Sequence, residues 1–285
     1  MKKVKIIECP RDAMQGVKSH FIPTEAKVRY INALLKVGFD TIDFGSFVSP
    51  KAIPQMRDTA EVLNKLNLNT SESKLLAIIA NVRGANDASK FEEINYLGYP
   101  FSISEIFQMR NTGKTIDQSL GILGEILNIA NKTNKEVVAY LSMGFGNPYG
   151  DPWNVEIVAR WTDVLAKMGV KILSLSDTVG VADGETISYL FSNLIPLYPN
   201  IEFGAHLHTN FDLWHEKVDA AFTAGCLRFD GAIKGFGGCP MAKDELTGNM
   251  PTEKLLSYFT SKKVDCNLNA LSFESAYNEA LKVFG

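Results

Sequence analysis

Two imidazoles one residue apart offer the sharpest chemistry in this sequence: His206-Leu207-His208 ends the β-rich run EFGAHLH that starts at Glu202. Residues i and i+2 of a strand project to one side, so both rings can reach one ion while Leu207 packs on the other face. The chain has 4 histidines, and the other two, His20 and His215, show no such pairing. Asp12, just past the first β-rich run, supplies a carboxylate. Asp177, at the end of ILSLSD, is another candidate, although an Asp at a strand end also serves to cap the following loop. Oxygen with two imidazoles suits Mg²⁺ or Mn²⁺, with Zn²⁺ less favoured. Arg11 can form a structural ion pair, or turn its planar guanidinium toward a developing enolate. Cys239 lies in the glycine-rich segment GFGGCP, which can approach a substrate and where a thiol can move a proton; an inert buried thiol fits Cys9 and Cys226 better. Asp43 and Ser46 on the second β-rich run and Asp230 on the last add further polar groups.

Such groups need a scaffold that gathers strand ends. Eight β-rich runs are spaced along the chain, at VKIIEC (from Val4), TIDFG (Thr41), LLAIIA (Leu75), YPFSIS (Tyr99), VVAYLS (Val137), ILSLSD (Ile172), EFGAHLH (Glu202) and LRFDGA (Leu227). Between them lie helical patterns over 24–37, 55–66, 84–96, 116–131, 154–168, 184–197 and 212–224, with an eighth helix after Pro251 and a terminal one over 272–283. Alternation of this kind predicts an α/β fold, a single-domain (β/α)₈ TIM barrel over residues 1–285 with an extra C-terminal helix. A doubly wound sheet is the alternative, but ECPRDAMQG after the first strand lacks the GxGxxG fingerprint. In a barrel, chemistry collects at the C-terminal ends of the strands, where the histidines, Asp12, Asp43 and Asp177 all fall.

Composition narrows the partners. With 29 Lys plus Arg against 32 Asp plus Glu, the formal charge is −3, so no global field draws nucleic acid. Apolar runs end well before the length that spans a bilayer, and the N-terminus carries no export-signal pattern, so a cytoplasmic protein without a membrane partner is expected. The 4 cysteines show neither CxxC spacing nor small-domain context, which argues against a disulfide framework.

The segments ECPRDAMQGVK, TIDFGSFVSPKAIPQM, LSLSDTVG, HLH and GFGGCPMAKDELTGNMPTE together resemble the 3-hydroxy-3-methylglutaryl-CoA lyase family, within the barrel metallolyases and synthases. The GGCP loop followed by GN, with SFVSPK, favours the lyase branch. The resemblance implies a divalent ion on Asp12, His206, His208 and Asn249, and catalytic roles for Arg11, Asp12, His206, Cys239 and Glu253. It implies that Lys18 and Asn111 hold the coenzyme A portion of an acyl-CoA substrate, and that Gln15, Asp43, Ser46, Asn147 and Asp177 line the pocket. A homodimer is compatible with it. Asp43 stands where lyases commonly have Glu, Asn147 where a cysteine is familiar, and TN follows HLH in place of DT.

The reaction so implied is retro-Claisen cleavage of 3-hydroxy-3-methylglutaryl-CoA, or a close 3-hydroxyacyl-CoA, to acetyl-CoA and acetoacetate or a related keto product. The competing readings are an acetyl-CoA-dependent synthase condensing a 2-oxo acid, a CoA-free metal aldolase, and a non-catalytic metabolite-binding barrel. A biotin-dependent carboxyltransferase would need a strand-end lysine, which ILSLSD lacks.

Overall fold

The computed structural model describes residues 3–69, 71–210, 212–238 and 247–285. Its strands are β1 (Lys5–Glu8), β2 (Thr41–Ser46), β3 (Lys74–Ile78), β4 (Ile94–Ser102), β5 (Glu136–Ser142), β6 (Ile172–Asp177), β7 (Glu202–Thr209), β8 (Arg228–Gly231) and the short β9 (Gly248–Asn249). The first eight are parallel to their neighbours, and the β1–β8 and β6–β7 pairings close the sheet into the barrel expected from the sequence. β9 is antiparallel, pairing with the end of β7 so that Asn249 stands opposite His208.

The helices are α1 (Pro10–Gln15), α2 (Thr24–Leu35), α3 (Thr59–Asn64), α4 (Val82–Ala88), α5 (Glu105–Thr112), α6 (Ile116–Lys132), α7 (Val155–Lys167), α8 (Gly184–Leu197), α9 (Trp214–Thr223), α10 (Thr252–Ser261) and α11 (Ala270–Phe284). Local chemistry sets many of their starts. Thr115 and Gln118 form a reciprocal capping box at α6, while Asn81, Asn154, Asp183 and Asn269 each accept an amide N–H of the first turn. Helix α11 is the extra C-terminal helix, and it packs on α2.

Two expectations needed correction. The helical pattern over 84–96 ends at Ala88, because Ile94 and Tyr96 already belong to β4 and pair with Leu75 and Leu76 of β3. Neither α1 nor α5 was anticipated. Pro10 starts α1 immediately after β1, and Ser104 caps α5 by accepting from the Phe107 amide at 3.1 Å.

Strand alternation divides the core. Ile6, Ile42, Phe44, Leu75, Leu173 and Phe203 join the layer between barrel and helices, while Leu76, Tyr96, Val138, Tyr140 and Ile172 form a separate buried cluster. These residues alternate with the first set along their strands, so they fill the barrel interior. Interior positions nearer the C-terminal ends turn polar, and there the site begins.

Candidate active site and metal centre

β1 ends at Glu8, and α1 turns the chain so that Arg11 and Asp12, both buried, lie over the barrel mouth. Asp12 Oδ1 accepts from Arg11 Nη1 at 2.8 Å and from Gln15 Nε2 at 2.6 Å, three residues on and therefore on the same helix face. Its Oδ2 accepts from Asn249 Nδ2 at 2.8 Å, a contact made possible by the pairing of β9 with β7. Arg11 also donates from Nε to Asp43 Oδ2 at 3.0 Å and from Nη2 to the same oxygen. Asp43 is therefore not a free pocket acid: fully buried, it holds the guanidinium from below.

His206 and His208 do project to one side of β7, and one ligand atom from each, with one from Asp12, lie within 4.8 Å of one another. Each ring is held through Nδ1, His206 by Asp230 Oδ2 at 3.0 Å and His208 by the Thr178 carbonyl oxygen at 3.0 Å. His208 Nε2 is buried and has no hydrogen-bond partner among the described residues. A stripped imidazole nitrogen facing a carboxylate and a second imidazole fits a divalent cation, which would satisfy a group that otherwise carries its full desolvation cost. Asp12, His206 and His208 thus form a cluster able to hold an ion, with Asn249 beside it.

Electrostatics agree with that use. Burial works to raise the Asp12 carboxyl, but Arg11, the two imidazoles and the Asn249 hydrogen bond outweigh it and leave it below its ordinary value. Burial, aided by neighbouring His206, pushes His208 down to about 4, so it is neutral and able to ligate. Burial also pushes Asp43 up to about 6 against the pull of Arg11. Arg11 stays protonated, its burial offset by Asp43 and Asp12.

The cluster opens into a cavity of about 270 Å³. Of the residues singled out from sequence, Arg11, Asp12, Gln15, Ser46, Asn111, His206 and His208 line it. Others do not. Asp177 takes its alternative role as a loop cap: Lys217 Nζ donates to it at 2.6 Å and the Val181 amide at 2.8 Å, with the pair wholly buried beneath the loop. Asn147 closes its own turn, accepting from the Tyr149 amide at 3.0 Å and donating to the Asp151 carbonyl. Lys18 is exposed and off the cavity wall. Glu253, in the first turn of α10, accepts from the Lys234 amide at 3.0 Å, away from that wall. Cys239 lies outside the described residues. The loop leading to it approaches closely, for a Cβ built on Gly237, which has φ +91°, would stand 2.6 Å from the Asp12 carbonyl oxygen.

Sequence reasoning missed other residues on the wall. Tyr140 and Ser142 on β5, Ser176 on β6 and Asn81, the cap of α4, all line the cavity. The i, i+2 rule that singled out the histidines also joins Tyr140 to Ser142, but neither residue type announces a ligand. Phe107 and Thr112 reach the cavity on the unanticipated α5.

A closed parallel barrel with an aspartate and two histidines converging at its C-terminal mouth defines a metal-binding β/α-barrel of the lyase type. The chain belongs to the HMGL-like family, which it matches over residues 3–278. It is 33% identical over 276 residues to hydroxymethylglutaryl-CoA lyase YngG of Bacillus subtilis, covering 96% of this chain and 91% of that protein. It is 30% identical, covering 100% of this chain and 94% of the relative, to the 3-hydroxy-3-isohexenylglutaryl-CoA/hydroxy-methylglutaryl-CoA lyase of Pseudomonas aeruginosa. Among solved structures, an HMG-CoA lyase from Brucella melitensis superposes with a TM-score of 0.91 at 26% identity, covering 99% of each chain. No helix among the described residues is long and apolar enough to cross a membrane.

Proposed function

We propose that this chain is a metal-dependent carbon–carbon lyase acting on an acyl-CoA, with 3-hydroxy-3-methylglutaryl-CoA as its substrate and acetyl-CoA and acetoacetate as products. The observation that carries the reading is the meeting of buried Asp12 and His208 with partly buried His206 beside Arg11 on the cavity wall, where His208 Nε2 has no hydrogen-bond partner among the described residues. Asp12, His206, His208 and Asn249 would hold Mg²⁺ or Mn²⁺. The ion, when bound, supplies Lewis acidity that makes a substrate hydroxyl easier to ionise.

The chain's own groups account for the remaining work. Cleavage of C2–C3 begins with loss of the C3 hydroxyl proton; with His206 Nε2 given to the ion, the cavity-lining group able to accept it is an Asp12 carboxylate oxygen. As the bond breaks, negative charge moves onto the thioester oxygen. A guanidinium has five N–H donors; Nε, one on Nη1 and one on Nη2 are engaged with Asp43 and Asp12, which leaves two for that oxygen. Asp43 and Asp12 fix the guanidinium plane in advance, so little reorganisation accompanies the charge shift. The Cys239 thiol, carried on the glycine-rich loop, then protonates C2. Ser46, Gln15 and Asn111 add polar contacts along the wall for the acyl and coenzyme portions.

A bulkier C3 substituent is the second reading, favoured by the apolar part of the same cavity's lining, which includes Val48, Ile53, Ile78, Ala80 and Phe107. Acetyl-CoA release from a panel of 3-hydroxyacyl-CoAs, with Mg²⁺ or Mn²⁺ present, tests both. Turnover of the methylglutaryl compound, falling about tenfold or more without its distal carboxylate, supports the first reading, since tenfold is about 1.4 kcal/mol of transition-state stabilisation. Turnover only of bulkier homologues supports the second. Condensation of acetyl-CoA with a 2-oxo acid, without cleavage of any member, would replace both with a synthase.

A further inference from the structure

The two histidines of the cluster are held differently. His208 donates Nδ1–H to a neutral backbone carbonyl, that of Thr178, whereas His206 faces the carboxylate of Asp230 on the adjacent strand β8. Parallel pairing of β7 with β8, with Ala205 opposite Phe229, puts the two side chains in reach of each other across the barrel interior. The Asp230 side chain is only 1% exposed. Its second oxygen, Oδ1, has no hydrogen-bond partner among the described residues, so its one resolved polar contact is with His206.

We infer that Asp230 is a positioning residue for His206, fixing the ring as the Nδ1–H tautomer and so turning a bare Nε2 toward Asp12 and His208. The inference rests on the metal reading of the cavity. An imidazole with neither nitrogen pinned exchanges its proton between them, and the Nε2–H form offers no lone pair to an ion. A charged acceptor selects the Nδ1–H form more strongly than a carbonyl does, and it raises the electron-donating power of the opposite nitrogen.

Two other roles for Asp230 are less consistent with the geometry. The buried Arg228 on the same strand forms its ion pair with Glu202, at 3.3 Å, and no ion pair joins it to Asp230 among the described residues. Cys9, His206 and Asp230 also place ligand atoms within 4.8 Å of one another. There, however, the His206 nitrogen is already occupied by its bond to Asp230, and a second dication on the same imidazole would sit close to the first in a region of low dielectric. The His206–Asp230 hydrogen bond is the arrangement that leaves Nε2 for one ion.

The test uses the full chain with Asp230→Asn, which keeps the volume and removes the charge, and Asp230→Ala beside it. Nitrogen-15 NMR of the histidines in metal-free protein reads the tautomer directly. Mn²⁺ titration followed by electron paramagnetic resonance reads affinity without turnover. Wild type is expected to show His206 as the Nδ1–H tautomer; Asp230→Ala should lose that preference, Asp230→Asn, whose amide oxygen still accepts, should weaken it, and His208 should keep its own in both. Mn²⁺ affinity should fall by about 10- to 100-fold, the range typical of an outer-shell carboxylate. A purely structural Asp230 would lower the thermal midpoint but leave the tautomer and the Mn²⁺ affinity of the folded protein unchanged, and that result would overturn the inference alone. Wild-type protein that shows the Nδ1–H tautomer yet binds no Mn²⁺ would overturn the metal reading together with the role built on it.

Discussion

Replacing Glu8 with glutamine should change how the stability of this barrel depends on pH. Glu8 is fully buried at the end of β1, where Oε1 accepts from the Ile233 amide at 2.9 Å and Oε2 from the Thr252 hydroxyl at 2.6 Å. Burial pushes its carboxyl up to about 8 from an ordinary value near 4.5, outweighing both hydrogen bonds. The folded protein therefore binds the Glu8 proton more tightly than the unfolded chain. The stability this confers is fully present below about pH 4.5, declines as pH rises, and is gone above about pH 8. With a proton worth about 1.4 kcal/mol per pH unit, the loss between pH 6 and pH 9 comes to about 2.7 kcal/mol. Glutamine preserves the shape and an acceptor for the Ile233 amide but cannot ionise. Urea unfolding of both proteins at the two pH values gives the difference directly, and other titrating groups cancel between them. The stability of Glu8→Gln relative to wild type should rise by roughly 2–3 kcal/mol from pH 6 to pH 9. A difference that stays constant within about 0.5 kcal/mol would refute the idea that burial sets the charge of Glu8.

Three further outcomes are expected. His208→Ala should remove the divalent ion while leaving the barrel folded, as measured by metal content and circular dichroism; equal metal content in the two proteins would exclude His208 as a ligand. Lys217→Met should lower stability by about 3–5 kcal/mol, because it leaves the wholly buried Asp177 carboxylate without its counter-charge, and chemical denaturation at pH 7 would measure this. Cys239→Ser should keep the ion and the thermal midpoint but lose most turnover, a hydroxyl being a far weaker acid than a thiol; an unchanged kcat would remove Cys239 from the proton-transfer step.

The sequence by itself determined the barrel and the strand carrying its chemistry. Periodicity is a local property, so eight alternating units were countable, and the spacing of His206 and His208 was enough to put both rings on one side of β7. Where two local signals overlapped, the reading slipped: apolar residues at Ile94 and Tyr96 suit a helix face as well as a strand, and only pairing with β3 made them β4. The RD pair and the polar strand ends were equally plain, but their partners were not. Asp43 and Asp177 look alike in sequence, each an acid on a strand of similar composition. The tertiary structure gives one to Arg11 at the metal cluster and the other to Lys217 beneath a loop. Asn249 reaches Asp12, 237 positions away, because a two-residue strand pairs antiparallel with β7. Asp230 meets His206 because β8 lies beside β7. Residue type and spacing settle which groups can do chemistry. Which of them meet, and which nitrogen of each imidazole is left bare, depends on contacts between segments far apart in the chain, and no local pattern encodes those.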